Sequence, residues 1–97
     1  MDKKVFISGP MTGYPEYNKN AFKEKEHELT KKGYKVVNPW KDWLVESDAT
    51  WEHCMFLALE ELIECDYIVF LEGSEKSRGS IVERRFANKL GIELLKE

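Results

Sequence analysis

The sequence predicts an α/β domain built on a parallel sheet of four to five strands, with helices on both faces. Three observations carry that expectation. Short runs rich in β-branched and aromatic residues alternate with longer stretches whose apolar residues recur at helical spacing. Glycine, proline or asparagine stands at the junctions between them. A strand that continues through a helix into another strand closes its ladder in parallel through a right-handed crossover, so helices must cover both faces.

Lys4-Val5-Phe6-Ile7-Ser8 forms the first strand (β1) and ends at Gly9-Pro10. The loop from Ser8 to Tyr17 holds two glycines and two of the three prolines. Asn18 or Asn20 can cap a helix (α1) running to about Lys32, with Phe22, Leu29 and Ala21 facing the core and Gly33 as a left-handed terminator. Tyr34 to Val37 is a second strand (β2), closed by Asn38-Pro39 because proline cannot donate to a ladder. After a tryptophan-rich connection, Thr50 caps a helix (α2) reaching about Glu64, on which Trp51, Met55, Ala58 or Leu59, and Leu62 recur at helical spacing. Tyr67 to Leu71, the most hydrophobic run, is a central strand (β3) that ends at Glu72-Gly73. A third helix (α3) spans about Ser80 to Leu90 with Val82, Phe86 and Leu90 inward; Gly91 stops it and Ile92 to Leu95 is the last strand (β4). The order is β1-α1-β2-α2-β3-α3-β4, which places a ligand beyond the carboxyl ends of the strands, in the loops after Ser8, Val37 and Leu71.

At 97 residues the chain suffices for one domain, here read as spanning 1–97, and is too short for two. A chain of this size buries only about 60 to 68% of its unfolded surface, so association into a homodimer or larger homo-oligomer is expected. The net charge of −3 disfavours nucleic acid as a partner, since such binding needs clustered Lys and Arg. The mixed run Lys23-Glu24-Lys25-Glu26 with Glu28, Lys31 and Lys32 reads as a solvated helix face. Cys54 and Cys65 sit eleven positions apart with no CxxC motif, which fits reduced core thiols better than zinc or a disulfide. Met-Asp-Lys-Lys leads into only a short apolar run, so a cytoplasmic protein with no membrane partner is expected.

Two segments can carry chemistry. The first is Ser8-Gly9-Pro10-Met11-Thr12-Gly13 with Tyr14, Tyr17 and Asn18, where glycine permits close backbone approach and a helix start attracts anions. The plainer reading is a tight turn. Neither GxGxxG nor GxxxxGK[ST] is present, so no dinucleotide or P-loop cofactor site is expected. The second is Ser77-Arg78-Gly79-Ser80-Ile81-Val82-Glu83. Ser80-x-x-Glu83 fits a capping box, yet Glu83 in the first turn of α3 would also face the mouth of the site as ligand or nucleophile. His27 reads as solvated and His53 as a weak candidate for ligand contact; Trp40, Trp43 and Trp51 read mainly as core or interface.

At these segments the sequence resembles the nucleoside 2-deoxyribosyltransferase-like superfamily, most closely its small branch common in phages and prophages. The resemblance rests on Val5 to Gly13, Pro15-x-x-Asn18-x-x-x-Phe22, Gly33-Tyr34-x-Val36-Val37-Asn38-Pro39, Cys65-Asp66 and Ser77-x-Gly79-x-x-x-Glu83-x-x-x-Ala87. It implies a three-layer, Rossmann-like (flavodoxin-like) domain binding a nucleoside or nucleotide, with no cofactor and no metal. By that match Glu83 is the catalytic nucleophile attacking the sugar C1′, in the manner of a retaining glycosidase. Ser8, Gly9, Pro10, Met11, Tyr14, Asn18 and Asn38 would bind ligand beside the first strand, and Arg78, Gly79 and Ser80 on the phosphate side. The characterised enzymes carry on α2, eight positions before the residue matching Asp66, an aspartate that helps the base depart; here that position is Ala58. Glu60, Glu61 or Glu72 could substitute. The reaction this implies is hydrolysis or transfer of an N-glycosidic bond. The alternatives are a protein that binds or sequesters a nucleotide or nucleotide-derived signal without turnover, and a purely structural or protein-interaction module.

Overall fold

The computed structural model describes residues 3–97; Met1 and Asp2, where the N-terminal reading begins, lie outside them. β1 spans Lys4–Ser8, α1 Lys19–Lys31, β2 Lys35–Val37, α2 Trp51–Ile63, β3 Tyr67–Phe70, α3 Arg78–Leu90 and β4 Glu93–Leu94. Three short 3₁₀ turns, Pro15–Asn18, Asp42–Glu46 and Ser74–Lys76, fill the connections. The four strands form one parallel sheet in the order β2-β1-β3-β4. The chain moves outward in one direction from β1 to β2 and in the other from β3 to β4, so the crevice between β1 and β3 is the natural ligand position.

Alternation along β1 divides the interior. Val5 and Ile7 point to one face, where Phe22 and Leu29 of α1, Val69 and Trp40 complete a core. Phe6 points to the other, against Met55, Ala58 and Leu62 of α2, Ile68, and Ala87 of α3. Each fully buried Phe or Leu contributes roughly 1.5–3 kcal/mol of transfer free energy. By the same period of two, Ser8 at the end of β1 shares the face of Phe6, and that face is the one covered by α2 and α3.

Several element ends differ from the sequence expectation. Tyr34 stays outside β2 because its N–H closes the C-terminus of α1 on Leu29 O at 3.1 Å. Leu71 leaves β3 for the loop, although its N–H still bonds Ser8 O at 2.8 Å. α3 begins at Arg78 rather than Ser80, since Ser77 supplies the cap: its Oγ accepts the Ser80 N–H at 3.3 Å. Leu90 is half exposed instead of inward, because Gly91, left-handed at φ 75°, turns the chain so that the Ile92 N–H bonds Ala87 O and Ile92 packs on the core in its place.

Candidate functional site

Ser8 and Glu83 meet behind the wall of a cleft at the strands' carboxyl ends. Because Ser77 caps α3 and the helix starts at Arg78, Ser80 and Glu83 fall one turn apart on the helix face turned toward β1. The expected Ser80-x-x-Glu83 capping box does not form: Glu83 lies in the second turn, beyond reach of the orphan N–H groups. Its side chain is 6% exposed. Ser8 Oγ donates to Glu83 Oε1 at 2.6 Å and lies 2.9 Å from Ser80 Oγ. Burial pushes the Glu83 carboxyl up to about 7, and the Ser8 hydroxyl pulls in the opposite direction. No buried side-chain nitrogen or oxygen among the described residues lacks a partner. Oε2, which takes no part in the Ser8 bond, is therefore open to the cleft that Glu83 lines.

The cleft measures about 1240 Å³. Gly9, Pro10, Met11, Thr12, Tyr14 and Tyr17 bound it from the loop after β1, and Trp51, Cys54, Met55 and Ala58 from α2. Ser77, Arg78, Gly79 and Glu83 close it from α3, and Pro39, Lys41, Trp43 and Leu44 come from the connection after β2. Of the residues expected at a ligand, Gly9, Pro10, Met11, Tyr14, Arg78, Gly79 and Glu83 line this one space. Ser8 and Ser80 stand behind it, buried, and reach it only through Glu83. Asn18 and Asn38 are turned to structural work. The Asn18 amide donates to Pro10 O at 3.0 Å, and the Asn38 amide bonds Glu26 Oε1 and Phe22 O while its oxygen accepts the Trp40 N–H.

Gly9 has a packing reason to be glycine. A Cβ there would fall 2.6 Å from Leu71 Cδ1 and 2.9 Å from Leu71 Cβ, so part of the obstacle lies next to the backbone. Gly9→Ala is expected to cost about 1–3 kcal/mol in urea unfolding, as overpacking against a buried leucine does. An unchanged midpoint would show that Leu71 yields freely.

The loop holding Tyr14 and Tyr17 carries three consecutive left-handed residues without glycine, Glu16 (φ 49°), Tyr17 (φ 53°) and Asn18 (φ 69°). Each costs roughly 1–2 kcal/mol. The conformation is held by the Trp40 indole N–H donating to Glu16 O at 2.9 Å and by the Asn18 bond to Pro10 O. Trp40 is thus a core residue with a second duty at the cleft rim.

Sequence reasoning did not find the contacts made across the cleft. Lys41 pairs with Glu61 at 2.9 Å, and the Arg78 guanidinium lies 3.7 Å from the centroid of the Trp51 ring. Glu60 and Glu61 line the cleft, whereas Glu72 borders a separate hollow beside Lys25 and Lys76. His27 and His53 are exposed, and neither borders this cleft. No cluster of three or more His, Cys, Asp or Glu able to hold a metal occurs among the described residues.

Both cysteines are free thiols, Cys54 partly exposed in the cleft and Cys65 buried. Burial pushes the Cys65 thiol up to about 11. A maleimide at neutral pH is therefore expected to label Cys54 in the folded protein and Cys65 only after unfolding. Mass spectrometry of the digested adduct checks this, and labelling of both sites at equal rates would contradict the burial.

The family described as a domain of unknown function (DUF4406) matches residues 3–96. No protein of curated function matches in sequence. Among solved structures the chain resembles the 2-desoxiribosyltransferase from Leishmania mexicana, with TM-score 0.72 and 18% identity over 96% of this chain. The match spans 62% of that enzyme's length. At this identity the likeness establishes the fold, a Rossmann-like α/β sheet. Among the described residues no helix is long and apolar enough to cross a membrane.

Proposed function

This chain belongs to the DUF4406 family, and from that premise we propose that it binds a nucleoside or nucleotide and cleaves or transfers a 2′-deoxyribosyl N-glycosidic bond through Glu83. One observation carries the reading: a carboxylate nine-tenths buried, with one oxygen held by Ser8 and the other open, lines the cleft beyond the carboxyl ends of β1 and β3. The fold shared with a deoxyribosyltransferase supports the choice of substrate class.

In the proposed reaction Glu83 Oε2 attacks C1′ as the C1′–N bond breaks, and the bonding pair leaves with the base nitrogen, which is protonated by water in the open cleft. The glycosyl ester is resolved when water, or the nitrogen of a second base, attacks C1′ and the Glu83 carboxylate departs. Water then gives hydroxide to C1′ and its remaining proton to solvent. The first turn of α3, with Arg78 and the N–H groups of Arg78 and Gly79, suits a sugar phosphate, while Trp51, Met55 and Ala58 suit the faces of a base. Ala58 supplies no acid to the leaving base, an omission typically worth about 10² to 10⁴ in rate, so slow turnover is expected.

Incubation with a panel of deoxynucleosides and their 5′-monophosphates, read by chromatography, should release free base. Ala58 also favours a second reading, in which a phage protein binds a nucleotide or nucleotide-derived signal without turnover. Calorimetric binding with the ligand recovered intact would select that reading, and no binding by any member of the panel would remove both. A homodimer or larger assembly belongs to the proposal as well: Phe56 and Ile63 on α2 are 60% and 55% exposed. Sedimentation velocity reports whether a second copy covers them.

A further inference from the structure

We propose that Ser8, backed by Ser80, is the positioning residue for Glu83, holding Oε1 so that Oε2 is the oxygen presented to the cleft. The inference deepens the Glu83 reading and rests on it for its catalytic meaning, but its structural content can be tested without turnover.

Three side chains from two elements make the arrangement. Ser8 is fully buried, Ser80 is 2% exposed, and their oxygens lie 2.9 Å apart. A serine hydroxyl has one proton, so when Ser8 gives it to Glu83 Oε1 at 2.6 Å its own oxygen is left to accept from Ser80. The chain Ser80 to Ser8 to Glu83 thereby fixes the hydroxyl rotor of Ser8, and among the described residues no buried side-chain oxygen is left stranded in the apolar layer between β1 and the two helices. A carboxylate free to rotate about its last torsion would present either oxygen, and a hydroxyl fixed on one of them removes that freedom.

Few other groups could take this role. On the cleft wall α2 contributes Met55 and Ala58, which carry no titratable group, and the Cys54 thiol, while the loop after β1 contributes the Tyr14 and Tyr17 phenols; none of these is hydrogen-bonded to Glu83 among the described residues. The charged side chains on the cleft wall are Lys41 and Glu61, which pair with each other, Glu60 and Glu64 on α2, and Lys76 and Arg78 before and at the start of α3. Arg84 and Arg85, next along α3, are exposed. Among the described residues only Ser8 touches the buried carboxyl with a hydrogen bond, and since it favours the ionised form its loss should make the proton harder to remove.

The test is a carboxyl-carbon NMR titration of Glu83 in the parent, Ser8→Ala, Ser8→Thr and Ser80→Ala proteins. Ser8→Ala should move the midpoint upward by roughly one to two pH units, the range expected for a hydrogen bond to a charged group. Ser80→Ala should move it less in the same direction, and Ser8→Thr, which keeps the hydroxyl, should restore it. An unmoved midpoint in Ser8→Ala, or in Ser80→Ala should the former not fold, overturns the proposal. Where base release is measured, Ser8→Ala should lower kcat about tenfold or more at pH 7 with little change in KM. Loss through KM alone would mean that Ser8 serves binding instead. If the NMR shifts appear but no substrate is ever cleaved, the positioning stands and the enzyme reading fails.

Discussion

Glu83→Gln is expected to lower base release by at least about 10³-fold while leaving the fold and ligand binding in place. The substitution is isosteric and its amide oxygen can still accept from Ser8, so the buried layer behind the cleft stays satisfied. What disappears is the oxygen able to bond C1′. The pH profile gives an independent check. With the Glu83 carboxyl pushed up to about 7, the nucleophilic form accumulates as pH rises, so the parent rate should climb through about pH 7 and level off above it. Chromatographic assays of both proteins from pH 5 to 9 make the comparison. Base release by the variant at the parent rate, or a parent profile that falls with pH over this range, would end the nucleophile assignment.

The same side chain should make stability depend on pH by about 3 kcal/mol. Its carboxyl titrates near 7 in the folded protein against an ordinary 4.5, so between those values the folded state binds more protons than the unfolded chain. Stability from this group is therefore complete below about pH 4.5 and is lost as pH rises through 7. Other carboxylates add effects of the opposite sign; Glu28, for instance, is held below its usual range by Lys25. Comparing the parent with Glu83→Gln cancels them. Urea unfolding should find the two nearly equal at pH 4.5 and the variant more stable by up to about 3 kcal/mol at pH 8. Equal stabilities at both pH values would mean that water reaches the carboxylate and relieves its burial.

Both expectations depend on how the chain meets itself, and the amino-acid pattern anticipates only part of that meeting. The alternation of β-rich runs with helical periodicity was legible because burial on both faces of a parallel sheet leaves near-continuous apolar strands such as Tyr67–Phe70. Phe22 and Leu29 were legible from their helical spacing along α1, which puts both on the face turned to the core. The start of α3 was misread because Ser77-x-x-Ser80 and Ser80-x-x-Glu83 both have cap spacing. The helix takes the earlier cap, which frees Glu83 to face Ser8. Asn18 and Asn38 carry the polarity expected of ligand contacts, yet Pro10 O, Phe22 O and Glu26 claim their amides through contacts 8 to 16 residues away.

By itself the sequence determined the parallel α/β architecture and the helix caps at Thr50 and Gly91. Local propensity and the spacing of apolar residues suffice for these, since each is decided within a few residues or by the handedness of crossovers. Tertiary structure alone decided that Ser8 reaches Glu83 across 75 positions, that Lys41 pairs with Glu61, and that Trp40 holds the strained loop at Glu16. Such contacts join distant segments whose approach is set by packing of the whole core, and no local pattern encodes which polar atoms that packing leaves within 3 Å of each other.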